Sequence, residues 1–280
     1  MFPAPSPFAF QPDEKVEQGF VRVLGQLEIQ VRATADFHGP LSDSVHATRV
    51  LIKRLRALLW FARTVFPPTK WKRARARLRR AAHLLAAQRD LMVVRSILKK
   101  VAQKTSNSAC RKTLARISRA PDDRQAVRQA NEQSLREAVA ILVATLQQMK
   151  RTAQLISRWP SPSHRLNRAF SVAKKSAKKA LRGDDPAQFH DWRKKAKRLL
   201  YQLQLTQGRP GGAMRRLIKR VDRLQQNLGD YHDSVVAEER LRKSPPDEVP
   251  PPVVQHGVML LEKRRQRLRK EARKIARQIA

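Results

Sequence analysis

One ten-residue pattern occurs twice in this chain, and that duplication limits the possible folds more than any other feature. Val45-His46-Ala47-Thr48-Arg49-Val50-Leu51-Ile52-Lys53-Arg54 returns as Phe189-His190-Asp191-Trp192-Arg193-Lys194-Lys195-Ala196-Lys197-Arg198, so both copies read His-x-x-Arg-x-x-x-Lys-Arg, 144 positions apart. A second block follows each copy. Arg73, Arg77 and Arg80 correspond to Arg216, Arg220 and Arg223, and Arg89-Asp90 to His232-Asp233, now 143 positions apart. Two blocks in one order at nearly one offset imply a supersecondary unit used twice.

The spacing within each copy belongs to an α-helix. At about 100° per residue, His46, Arg49, Lys53 and Arg56 share one narrow stripe, while Leu51, Leu55, Leu58 and Leu59 lie opposite. One face packs and the other gathers positive charge. In the second copy His190, Arg193, Lys197 and Tyr201 form the stripe, with Trp192, Leu199 and Leu203 behind it. Lys195 interrupts that apolar side. The downstream arginines, at i, i+4 and i+7, make a further stripe in each half. Like charges at i, i+4 cost an isolated helix about 0.2–0.5 kcal/mol per pair, so such stripes make sense where an anion lies between helices.

Composition agrees with a folded helical body carrying an unusual charge. Sixty Lys+Arg oppose 23 Asp+Glu, a net charge of +37. That excess self-repels and calls for an anionic partner: nucleic acid, a membrane surface or a polyphosphorylated polymer. A hydrophobic content of 41% argues against a disordered basic tail. Cys110 is the sole cysteine, which excludes an internal disulfide framework. The amino-terminal stretch lacks the basic start of a secretory signal and no apolar run reaches membrane-spanning length, so a soluble, cytoplasmic protein is expected.

Punctuation by Pro, Gly and Asp divides the chain. Helices are expected over 13–37, from Ser42-Asp43-Ser44 to Pro67-Pro68, over 69–103, as one or two segments within 105–159, and over 163–181, 186–206, 213–242 and 253–280. Asp185 should cap the helix that Pro186 begins. No segment reads as a strand, so the fold class is all-α: four helices, a hinge near residue 160, then four more. The domain is placed at 13–280, with repeat halves 13–160 and 161–280, and the Pro-rich segment 1–12 is expected to be disordered.

These motifs resemble the CHAD family, the conserved-histidine α-helical domain. His46-x-x-Arg49-x-x-x-Lys53-Arg54-x-Arg56, its copy at His190, and the Arg89-Asp90 and His232-Asp233 pairs carry the resemblance, over nearly the whole chain. It implies two four-helix bundles related by pseudo-two-fold symmetry, with a basic surface and central pore that bind inorganic polyphosphate, and an association with polyphosphate granules. Transferred to this chain, the ligand-facing residues are His46, Arg49, Lys53, Arg54, Arg56, Arg73, Arg77 and Arg80, then His190, Arg193, Lys197, Arg198, Arg216, Arg220 and Arg223. Tyr201 joins them from its place on the second stripe. Leu200 stands where Arg56 would repeat, and Met92 where the family often has a second acid.

Polyphosphate offers a dense line of charge with no bases to read, for which Lys and Arg suffice. Aromatic residues make up 5%, and the candidate faces hold only Tyr201, whereas single-strand binders supply stacking platforms. A sequence-independent nucleic-acid binder is the alternative reading, and a polyphosphate-metabolising enzyme a remote one. The sequence shows neither a phosphate-binding glycine loop nor an acidic cluster to hold divalent metal. No catalytic residue, cofactor or metal ligand set is therefore assigned, and no second His or acid lies at ligand spacing beside either histidine.

Overall fold

The computed structural model describes residues 8–11, 13–35, 40–103, 105–119, 125–159, 161–183, 185–206, 211–247 and 249–279, with the side chains of 87–94, 117–119 and 125–128 excepted. Among these residues there are ten α-helices and no strand: α1 (Val16–Ala33), α2 (Leu41–Phe61), α3 (Pro68–Leu84), α4 (Ala86–Ala102), α5 (Ser108–Arg119), α6 (Gln125–Ala153), α7 (Pro162–Arg182), α8 (Pro186–Thr206), α9 (Gly212–Arg242) and α10 (Pro251–Ile279). The all-helical class follows from the sequence. The helix count differs because the first half is more finely divided.

Two compact units form. One comprises Met1–Ala87, Arg124–Val172 and Lys197–Lys219; the other comprises Gln88–Asp123, Ala173–Ala196 and Arg220–Ala280. Each draws on both sides of residue 160.

In the first unit α1, α2, α3 and α6 close a ring, α1 on α2, α2 on α3, α3 on α6 and α6 on α1. Its core takes Phe20, Leu24 and Leu27 from α1, Leu51, Ile52, Leu55 and Leu58 from α2, Leu78 from α3 and Leu142 and Leu146 from α6. Helical periodicity assigns Leu51, Leu55, Leu58 and Leu59 to the packing side of α2, and all four are buried in this core, joined by Ile52. The second unit has two apolar clusters. Phe189, Trp192 and Ala196 of α8 pack with Leu224, Leu228 and Tyr231 of α9 and Ala272 of α10. Leu98 of α4 and Leu114 of α5 pack with Leu241 of α9 and Leu261 of α10.

Several boundaries shift for physical reasons. The helix expected over 69–103 breaks at Leu85, which is buried, and whose carbonyl accepts a bond from Arg49 Nη1 at 2.9 Å. A side chain from α2 thus occupies an acceptor at the C-terminus of α3. In the second half the matching helix, α9, runs unbroken through Leu228. Helix α2 starts at Leu41 with no side-chain cap, so Ser42, Asp43 and Ser44 lie inside its first turn, and it ends at Phe61 before a 3-10 turn. Asp185 does cap α8, its Oδ1 accepting from the Ala187 N–H at 2.8 Å. The Lys195 that interrupts the apolar side of α8 pairs with Asp191 at 3.3 Å, and Asp191 also accepts from Ser176 at 2.8 Å.

Within the segment 1–12 expected to be disordered, residues 8–11 are packed. Ala9 and Phe10 are buried, the Phe10 ring meets Phe61 edge-on at 5.2 Å, and the Phe10 N–H donates to Leu205 O at 2.8 Å. Arg22 Nη2 holds Ala9 O at 2.7 Å and Glu14 Oε1 at 2.5 Å. Gly19 leaves the room: a Cβ there would lie 2.6 Å from Glu14 and 2.9 Å from Phe10.

The C-terminus of α2 is finished by an arginine from α7. Arg165 is 5% exposed, yet it donates to Phe61 O at 2.6 and 2.9 Å and to Trp60 O at 2.9 Å. Its charge sits against the negative end of the α2 dipole. Burial first, then Arg168 and Arg63, push its pKa below the ordinary arginine value.

Glu28 of α1 shows how the few acids are used. Its carboxylate accepts from Lys150 at 2.7 Å and from Arg32 at 2.8 Å, and these bonds, Lys150 foremost, lower its pKa from 4.5 to about 2. A depressed carboxylate stabilises the fold above its unfolded pKa and loses that contribution as pH falls through the folded one. The stability advantage of the native chain over Glu28→Gln should therefore hold above about pH 5 and vanish towards about pH 2. Urea midpoints measured across that range check it.

Candidate functional site

Within the first unit, the cations of α2 and α3 converge. Arg56 reaches across to α3, where its Nη2 donates to Leu78 O at 3.1 Å. Loss of water around its guanidinium, on a residue otherwise exposed, lowers its pKa first, and Arg79 and Arg75 lower it further. Helix α3 carries seven Lys and Arg and no acid in 17 residues. Its Ala74, Leu78 and Ala81 are buried, which keeps this stretch helical despite its charge. Arg73, Arg75 and Arg79 are all exposed.

The remaining candidates of this unit divide into groups. His46 is exposed, and Lys53 is half-buried on the same helix. Arg49 is engaged with Leu85 O, so part of its role is structural. Arg77 and Arg80 turn to α6 instead of α2: Arg77 donates to Gln148 at 2.6 Å and Arg80 pairs with Glu137 at 2.5 Å. Lys197 and Tyr201 are half-buried on the last part of α8, and Arg216 is exposed near the start of α9.

Arg54 and Arg198, the last residue of the repeated pattern in each copy, fall off the histidine stripe. The structure gives them a common setting. Arg54 lies over the Phe8 ring at 3.9 Å and Arg198 over the Trp60 ring at 3.8 Å. Such stacking covers one guanidinium face and holds the cation against the ring. Burial lowers the pKa of Arg54, and Tyr201 opposes that shift.

The second unit brings His190 of α8 against His232 of α9, with Nδ1 atoms 3.3 Å apart and rings 4.4 Å apart. Phe189 and Tyr231, each one residue earlier, stack at 4.5 Å. Sequence spacing left each histidine without a nearby second one; the partner is 42 residues away and arrives by helix packing. Arg193 is half-buried. Arg223 pairs with Glu271 of α10 at 2.5 Å, the counterpart of Arg80 with Glu137, and Arg220 donates to Gln278 O at 3.0 Å. Asp230, His232 and Asp233 are half-buried, and the side chains of Arg89, Asp90 and Met92 lie outside the described residues.

Arg75 and Arg79 are functional candidates that a search for repeats passes over, since their counterparts are Ile218 and Asp222. The signal that finds them is the acid-free run of α3 itself. Among the described residues no group of three or more His, Cys, Asp or Glu side chains could hold a metal ion, and no helix is long and apolar enough to cross a membrane.

Comparison with known proteins bears on the fold as a whole. The family model for the CHAD domain matches residues 20–242. Among solved structures, the crystal structure of the CHAD domain from the plant Ricinus communis is similar with a TM-score of 0.71 at 21% identity, covering 99% of this chain and 96% of that one. No curated protein matches the sequence.

Proposed function

The chain belongs to the CHAD domain family, and from that premise we propose that it binds inorganic polyphosphate without chemically altering it, through the basic faces of α2 and α3. The carrying observation is that Arg56 of α2 is bonded to Leu78 O of α3, the helix that itself carries Arg75 and Arg79 and has no acid. Arginines this close raise each other's free energy unless an anion sits among them. A linear polyanion supplies evenly spaced oxygens that planar guanidinium forks grip in pairs. Lys53 and the exposed His46 extend this face along α2, and Arg73 extends it along α3.

The chemistry favours a polymer of phosphate over one with bases. Among the described aromatic side chains of the first unit, Phe8, Trp60 and Trp71 already carry arginines on their rings, so those faces are less open to base stacking. Association with polyphosphate granules follows from the same reading.

A competition titration of long-chain polyphosphate against duplex and single-stranded DNA at moderate salt tests the proposal. Sub-micromolar binding of polyphosphate is expected, with displacement of both DNAs and affinity falling linearly in log salt. Tighter binding of either DNA would defeat it. Orthophosphate release on incubation with polyphosphate and magnesium would show that the protein acts on its ligand.

A further inference from the structure

We propose that the polyphosphate path does not end at Arg75 but continues along a row of alternating arginines and tryptophans to Arg198, forming a second phosphate-binding stretch in the first unit. The row is read from ring geometry. Arg75 lies over Trp71 at 5.5 Å, Arg63 over Trp71 at 5.5 Å and over Trp60 at 4.9 Å, and Arg198 over Trp60 at 3.8 Å. Helices α2, α3 and α8 and the 3-10 turn after α2 each contribute to it.

Three observations make this row an anion site. First, it is anchored: the Trp71 indole Nε1 donates to Leu59 O at 3.0 Å, which fixes the ring that Arg63 and Arg75 both approach. Second, further cations gather beside it. Arg165 is buried beneath with its donors on Trp60 O and Phe61 O, and Arg168 and Arg63 are near enough to lower its pKa. Among the described residues, no carboxylate is paired with Arg63, Arg75, Arg165 or Arg168. Third, Arg63 and Arg75 are exposed, and a guanidinium whose face lies on a ring presents its edge N–H groups outward. Edge donors recognise phosphate oxygens. Rings already covered by guanidinium are poorly placed to stack on bases.

Arg75 belongs to both the row and the face shared with Arg56, so one continuous path is formed. The inference rests on the polyphosphate reading for the chemistry of the ligand; the location is carried by the rings themselves.

Tryptophan emission reports the row directly, because binding alters the cations lying on Trp60 and Trp71. Tripolyphosphate is titrated into the full chain and into Arg63→Gln, with binding followed in parallel by calorimetry and folding verified by circular dichroism. The native chain should show a saturable, salt-sensitive emission change that Arg63→Gln largely loses. The same variant should bind long-chain polyphosphate about 5-fold more weakly at 0.1 M salt, in keeping with the loss of one phosphate contact. Trp71→Phe, which keeps the packing and removes the indole bond, should diminish the emission change as well.

Calorimetric binding with no emission change, or one unaffected by Arg63→Gln and Trp71→Phe, would overturn the row while leaving polyphosphate binding intact. Stronger emission quenching by oligothymidylate than by tripolyphosphate would replace it with a stacking surface. Absence of calorimetric binding to any polyphosphate would remove both this inference and the reading beneath it.

Discussion

Reversing Arg75 and Arg79 together to Glu is expected to weaken long-chain polyphosphate binding by roughly 100-fold at 0.1 M salt while making the protein slightly more stable. Each phosphate neutralised on a single-stranded polyanion contributes a slope of about 0.7 in log affinity against log salt, or about a factor of five at this concentration. Two lost contacts give about 25-fold, and two added negative charges repel the ligand further. Stability moves the other way because Arg75 and Arg79 are an exposed i, i+4 like-charge pair beside Arg56. Arg240→Glu with Lys243→Glu makes the same charge change on exposed positions at the end of α9 and should cost binding only a few-fold. Equal losses in the two double variants would mean diffuse attraction with no defined face. Salt-dependent titrations and thermal melts on the same samples read both quantities, and opposite signs mark cations kept for a ligand at some expense of stability.

The second large effect is on folding. Arg165→Met should destabilise the first unit by about 2–4 kcal/mol, because it strips donors from two carbonyls at the C-terminus of α2. Methionine fills much of the volume, so the loss reflects hydrogen bonding more than a cavity. Removing a desolvated charge near Arg168 and Arg63 offsets part of the cost. Arg168→Met, on an exposed residue of the same helix, should leave stability within about 0.5 kcal/mol. Urea denaturation of the full chain checks the pair, and amide exchange at Phe61 and the turn after it shows whether the lost protection is local. Similar effects of both substitutions would assign the stabilisation to net charge and not to the two carbonyls.

Most helices could be read from the sequence because their signals are local. The 3.6-residue period, the acid before Pro186 and the Pro-Pro stop after α2 act over a few residues, and α7, α8 and α9 lie within two residues of their expected bounds. The break at Leu85 was hidden because its cause, Arg49, is 36 residues away on another helix. The meeting of His190 and His232 was hidden for the same reason.

The candidate site was legible as a set of basic faces but not in its assignments. Stripe logic places Arg73, Arg77 and Arg80 together, yet Arg77 and Arg80 face α6, where Gln148 and Glu137 receive them. Which side of a helix meets a given neighbour is settled by the packing of Ala74, Leu78 and Ala81, not by the periodicity of the charges. The low aromatic content also misled in one respect. Two half-buried tryptophans count for little in composition, but their placement gives Arg63, Arg75 and Arg198 fixed seats.

The seat that Phe8 provides for Arg54 has a consequence of its own. A short uncharged stretch ahead of α1, anchored by Arg22 and the Phe10–Leu205 bond, sets the posture of a cation on the candidate surface. Replacing Phe8 with a small uncharged residue would subtract no positive charge, yet it would let that guanidinium rehydrate and sample many rotamers before capture, adding an ordering cost to every encounter. Drift in an uncharged neighbour can thus retune an electrostatic surface without altering a single charge on it.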